Sequence, residues 1–300
     1  MRPAAPLEID RDDQAGLVTV RAGDHVIVGW QFADRYAIPH WFPLRSPSGK
    51  DLLDQHPDPY GHHRAMWIAD KVQLEGGPVV DFYHCFKNRI DADDPSKGHR
   101  HFIRQGAMPR CKVVDDRATI ETWLEWIVDK TQPVLDDVRT LFVRSLGNGE
   151  ALLDLSWTLR ASHGAVTFHS DWIHYAWPYL RIHPRFSVAQ GGRIVDDWGR
   201  IDQQATNAQY ANWIDYSNTV DGVTEGVAMF VPQDGSWRRW LTRDYGTFGP
   251  RRDDALSGTG FVLAKGEALR GSARILVHRG DAESGAVATR YRDYVRESRR

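Results

Sequence analysis

The chain has 300 residues, 26% of them charged and 41% hydrophobic, the proportions of a folded globular protein with ample core. Its net charge of −2 supplies no field to draw nucleic acid or an anionic membrane surface. The longest apolar runs, such as Val227 to Val231, fall far short of the roughly 20 residues that span a bilayer, so no membrane partner is expected.

Strand patterning dominates from the start. Leu7 to Ile9, Leu17 to Val20 and His25 to Trp30 are short β runs separated by Asp/Gly turns. Ala118 to Val128 reads as a strand whose alternation slips near Trp123-Leu124, which predicts a bulge there. Val138 to Val143 and the strictly alternating Leu153 to Leu159 flank Gly147-Asn148-Gly149 and predict a hairpin. Gly226 to Val231, Gly260 to Leu263 and Ala273 to His278 continue the pattern, with Gly266-Glu267 expected to turn the chain between the last two as antiparallel neighbours. The C-terminus differs. From Asp281 to Glu297, Val287, Tyr291, Tyr294 and Val295 recur near 3.6-residue spacing, with a cap at Asp281 or Ser284 and arginines in the last turn, so a helix is expected. Many short strands with one firm helix predict an all-β fold, a large antiparallel β-sandwich with a C-terminal helix. No Pro-, Ser- or Gly-rich linker marks a boundary, and residues 1–300 are expected to form a single domain.

Met1 to Gln14 carries a lone early Arg2, no apolar stretch and four acids, which is not the pattern of a secretory leader; a cytoplasmic location is expected. Two cysteines, Cys85 and Cys111, make neither a disulfide framework nor an unaided zinc site. The anomaly is 12 Trp and 13 His. Flat indole faces suit sugar-binding clefts, and imidazoles exchange protons near neutral pH.

Seven histidines fall between His40 and His101. Their centre is the irregular run His56 to Trp67, followed by Asp81 to His84 and by Gly98 to His101; a loop on a rigid scaffold is the usual seat of catalytic groups. In an extended backbone at most one of His62 and His63 would face a site. A second cluster, Phe168 to His183, interleaves aromatics with His174 and Asp171, either as a stacking wall or as a strand burying Trp172 and Trp177. In a third, Arg243 and Asp244 either pair with each other or hold a polar ligand, beside Tyr245. His56, His62, His84 and His101 with Asp81 offer ligands for a divalent metal, but no HExxH or 2-His-1-carboxylate spacing is present, and a metal-free acid/base site is the alternative. No phosphate-binding glycine loop, GxSxG elbow or CxxC occurs.

The runs His56…Gly61-His62-His63-Arg64…Trp67, Val80-Asp81-Phe82-Tyr83-His84, Gly98…His101, Trp213-Ile214-Asp215-Tyr216-Ser217 and Arg243-Asp244-Tyr245-Gly246 resemble, in order, the segments of the PmoA-like proteins of unknown function, where HPHHRGLW precedes VDFW, GxIxH, a WxDYSG-type segment and RDYG. The match runs from about Pro43 to His278. The family's common label, a methane oxygenase subunit, implies membrane spans that this sequence lacks. What the resemblance implies is a soluble β-sandwich like the galactose-mutarotase supersandwich, encoded beside sugar-oxidising dehydrogenases and sugar transporters. Two departures stand out: Ala65 where the pattern has Gly, and Phe168 to Tyr179 without the family's acidic-lysine signature.

Together these features point to a carbohydrate-active enzyme that cleaves or eliminates the glycosidic bond of an oxidised (3-keto) glycoside. The partner is a small sugar or glycoside, and homo-oligomerisation stays open. His62 or His63 would act as base or acid, Asp81 would orient an imidazole, and His101 would be a second acid/base group. Arg64 and Arg243 would stabilise anionic charge, and His56, Trp67, His84, His174, Trp177, Asp244 and Tyr245 would bind substrate. An aldose-mutarotase-like epimerase and a non-catalytic sugar-binding module are the alternatives, with a metal-dependent oxygenase behind them.

Overall fold

The computed structural model describes residues 5–87, 89–91, 94, 97–169, 176–234, 238–251 and 260–298. Two eight-stranded antiparallel sheets face each other. The first runs Leu7–Asp12, Leu17–Ala22, His25–Gln31, His40–Leu44, Met66–Trp67, Tyr179–Arg181, Thr247–Pro250 and Trp240–Arg243. The second runs Arg193–Asp196, Trp213–Val220, Val223–Phe230, Ala268–Arg279, Glu150–Arg160, Gln132–Gly147, Arg117–Val128 and Phe102–Val114. A smaller sheet orders Phe261–Leu263, Val166–Phe168, Lys71–Leu74 and Val79–Asp81.

The strand period of two decides which side chains meet between the sheets. Met229, Ile275 and Val277 enter the main core with Trp30, Trp41, Ile120, Leu141 and Leu153. Their sequence neighbours Ala228, Phe230 and Leu276 point the other way and are covered by Val287, Tyr291 and Tyr294 of the C-terminal helix, Val287–Ser298. The helix begins later than its expected cap. Asp281 and Ser284 instead bond each other reciprocally, Ser284 N–H to Asp281 Oδ1 at 2.8 Å and Asp281 N–H to Ser284 Oγ at 2.9 Å, closing the turn ahead of it.

The expected hairpin forms, Leu141 opposite Leu155. Two other expectations need correction. Gly266-Glu267 does not join antiparallel neighbours: Phe261–Leu263 pairs with Val166–Phe168 in the small sheet, whereas Ala268–Arg279 pairs with Glu150–Arg160 in the second. Ala161 accepts from Gly266 N–H (2.8 Å) and donates to Glu267 O (3.0 Å), so the turn hands the chain from one sheet to the other. Nor does Arg117–Val128 bulge at Trp123. Thr122, Leu124 and Trp126 face inward without a break, while Trp123 lies on the outer face under the Arg110 guanidinium, 4.7 Å from its ring centre. The register shifts belong to the partner strand, on either side of Ala107.

Candidate functional site

The histidine-rich run folds back on itself. Arg64 bridges to Gln55, His56 N–H donates to His63 O at 3.0 Å, and His63 N–H donates to Tyr60 O at 2.9 Å. Ala65 sits at φ 69, the left-handed region that favours glycine and that explains why the resembling pattern has glycine there. Because the backbone is turned rather than extended, His62 and His63 do not diverge. Their ring centres are 4.4 Å apart.

A second segment completes the cluster. The small-sheet edge strand Val79–Asp81 leads into a 3₁₀ helix, Phe82–Lys87, whose Phe82 packs on Trp126 of the second sheet, 5.0 Å between centres. This anchors His84 4.6 Å from His62, ring centre to ring centre, and 2.7 Å (Nδ1 to Oδ2) from Asp81. Burial alone would raise the Asp81 carboxyl, but the His84 hydrogen bond and charge outweigh it and hold the group below the usual carboxylate range. A carboxylate on Nδ1–H leaves Nε2 as the basic nitrogen of His84.

His63 has a different character. It is 2% exposed, stacked on Tyr60 at 5.0 Å, and pushed down to about 2 by burial and by the charges of His62, Arg181, His84 and Arg64. Burial therefore favours its neutral imidazole. Around it, Trp67 stacks on Tyr179 at 4.8 Å, and Tyr245 stacks on Tyr60 at 4.7 Å. Tyr60, His62, His84 and Tyr245 are half-buried, whereas His63, Trp67, Tyr83 and Tyr179 are buried. The result is a cluster of packed aromatic rings with half-buried polar side chains among them.

Arg64 and Arg181 flank this cluster. Arg64 Nη1 donates to Gly61 O (2.8 Å), His63 O (3.3 Å) and the His56 imidazole, and burial lowers the guanidinium to about 10. Arg181 lies over Tyr60 and Tyr245, 5.6 and 5.1 Å from their ring centres, and donates to Tyr245 O. On the far side of Arg64, His56 stacks on Tyr36 (6.1 Å), which borders a cavity of about 310 Å³ also lined by Phe32, His99 and Phe102.

Of the residues singled out in sequence, the structure gathers His56, His62, His63, Arg64, Trp67, Asp81, His84 and Tyr245. Others it places elsewhere. His101 accepts from Asp129 N–H at 3.2 Å, in the turn where Arg100 pairs with Asp129, and makes no ring contact with the cluster among the described residues. Arg243 donates to Asn207 Oδ1 (2.7 Å) and Asp244 accepts from Gln203 N–H (2.8 Å); the two brace the short helix Asp202–Thr206 instead of each other. Trp177 is buried against Phe168, 5.6 Å between centres. His174 lies outside the described residues. Tyr60, Tyr83, Tyr179 and Arg181 were not anticipated; Arg181 stood at the end of the second aromatic cluster, but nothing in the sequence pairs it with Ala65, whose carbonyl accepts its N–H at 2.7 Å. Among the described residues no three His, Cys, Asp or Glu side chains converge to hold a metal ion.

A model of the family of unknown function DUF6807 matches residues 17–292. The chain belongs to that family. A search of curated protein sequences gives no match. Among solved structures, the chain is similar to the GH36 α-galactosidase AgaB of Geobacillus stearothermophilus (14% identity, TM-score 0.46, covering 91% of this chain and 41% of that one). It is similar also to the galactosidase domain of an α-galactosidase-sucrose kinase, AgaSK (8%, 0.49, 90% and 41%). A third is the GalM/aldose epimerase homologue from C. elegans (9%, 0.33, 93% and 99%). The chain thus spans about two fifths of the length of the galactosidase chains. Among the described residues of this DUF6807 chain, no helix is long and apolar enough to cross a membrane.

Proposed function

We propose that this DUF6807 protein is a carbohydrate-active enzyme that eliminates the glycosidic bond of an oxidised (3-keto) glycoside. The observation that carries the reading is the Asp81–His84 hydrogen bond of 2.7 Å with His62 beside it, an oriented base next to a second proton carrier. The resemblance to PmoA-like proteins, with their sugar-catabolic setting, supports the substrate class.

A ketone at C3 acidifies the proton on C2. His84 Nε2 takes that proton as the C2–H bond breaks, and the electron pair moves into an enolate on the C3 oxygen, beside the guanidinium of Arg64. The enolate collapses, the C1–O bond breaks, and the leaving oxygen takes its proton from His62. The products are the unsaturated ketone and the free aglycone alcohol. His63, held neutral, donates or accepts a hydrogen bond without changing charge, and the stacked Tyr60–Tyr245 pair offers a flat face to the sugar ring.

Incubating the protein with a 3-keto-glucoside bearing a chromogenic aglycone tests this. Wild type should release the aglycone, with His84→Ala and His62→Ala each slower by about 10² to 10⁴. No release by wild type, or equal release by all three, rejects the reading.

A further inference from the structure

Two buried arginines outside the site are neutralised by carboxylates. Arg139 (1% exposed) bonds Asp137 at 2.6 Å, and Arg274 (6% exposed) bonds Asp154 at 2.6 Å and Glu297 at 2.7 Å. The two arginines of the site differ from these. Arg64 (3% exposed) and Arg181 (4% exposed) form no ion pair with a carboxylate among the described residues, and Asp54 reaches Arg181 only through space. A guanidinium removed from water without a counter-charge is unfavourable, and it is tolerated where a ligand supplies the missing charge.

What remains unbonded also has a shape. Arg64 commits Nη1 to Gly61 O, His63 O and His56, and Arg181 commits Nη1 to Tyr245 O. Nε of each is buried with no partner, and Nη2 of each makes no hydrogen bond to a described residue. Nε and Nη2 form one edge of a guanidinium, two parallel N–H donors that match the two oxygens of a carboxylate. One arginine suffices for the transient charge of an enolate. Two uncompensated arginines in the resting protein call for negative charge that the ligand carries throughout.

We infer that the site takes a sugar acid, a sugar whose carboxylate is held by the unpartnered edges of Arg64 and Arg181. The inference rests on the site being sugar-binding and narrows its substrates from neutral to acidic sugars.

Calorimetric titration of the full chain with D-glucuronate, D-gluconate, D-glucose and glucose 6-phosphate tests it, at low and at raised salt. The sugar acids should bind at least about tenfold more tightly than glucose and should weaken as salt rises. Arg64→Gln and Arg181→Gln should each abolish the preference, and Arg181→Lys should keep part of it. Each substitution removes an uncompensated charge but also hydrogen bonds to Gly61, His63 and His56 or to Tyr245, so each variant is checked by a thermal scan, and a variant that fails to fold leaves the wild-type selectivity to decide. Equal binding of glucose and glucuronate, binding of no sugar acid, or a preference that survives both Gln substitutions overturns the inference; glucose 6-phosphate bound without either sugar acid overturns the carboxylate assignment. Failure of the elimination reading looks different: no aglycone released from a 3-keto-glucoside or a 3-keto-glucuronide, with the binding preference intact.

Discussion

His84 and Asp81 lie three residues apart across the end of a strand and the start of a 3₁₀ helix, with Nδ1 2.7 Å from Oδ2 and the His84 backbone N–H also directed at Oδ1, 3.3 Å away. One carboxylate thus fixes both the backbone and the ring of the same histidine. The ring can neither flip nor change tautomer without losing that bond.

Asp81→Asn therefore isolates orientation from folding. The amide keeps the shape but no longer stabilises an imidazolium at Nδ1. Turnover should fall by about 10² to 10⁴, with the melting temperature within about 2 °C of wild type. Steady-state kinetics and a thermal scan on the same sample check it.

His101 gives the converse test. It serves the Asp129 turn, away from the cluster. His101→Ala should leave turnover and KM unchanged within about twofold, since no described contact links it to His62 or His84. Kinetics of the variant beside wild type decide the point.

The histidines also set the pH range of stability. Burial pushes His40 down to about 4 and His63 to about 2, from the usual 6.5. The unfolded chain takes up those protons near 6.5 and the folded one does not, so stability is full above 6.5 and falls as pH drops towards 4. For His40 the loss is of the order of 3 kcal/mol. His278 has the opposite sign. Burial would lower it, but the charge and hydrogen bond of Asp215 (2.7 Å) hold it above 6.5. Its contribution is complete below 6.5 and lost as pH rises through the raised value. Urea unfolding across pH 4 to 9 should show a maximum near 6 to 7, and His40→Gln should flatten the acid arm.

Beneath the site, Arg139 and Asp137 pair in the core, Trp126 Nε1–H donates to Asp137 (3.0 Å), and Arg139 donates to the carbonyl of Ile68 (3.1 Å), next to Trp67. Arg139→Ala leaves a buried carboxylate unpaired and should cost about 3 to 5 kcal/mol. Replacing both partners with apolar residues should recover most of it. Denaturant titration of the single and double variants checks both numbers.

Much of this was legible in the sequence where local periodicity governs. Leu153 to Leu159 alternates because one face of its strand is buried, and Val287, Tyr291 and Tyr294 recur because one helix face is. The histidine run was legible as a site by its density. What escaped depends on long-range pairing. Whether His62 and His63 share a face follows from the turn that His56 and His63 close, not from their adjacency. Arg181 joins the site only because its strand pairs beside Met66–Trp67. Gly266 marks a reversal, but which sheet receives the chain is settled by Ala161, about a hundred residues earlier.

Proton removal from C2 by His84 is the central chemical step, and a substrate isotope effect measures it most directly. A 3-keto-glucoside or 3-keto-glucuronide carrying deuterium at C2 should react about two- to sevenfold more slowly than its protium form with wild type, and His84→Gln should lose the reaction. Aglycone release at the same rate from both isotopologues, undiminished in His84→Gln, would contradict it.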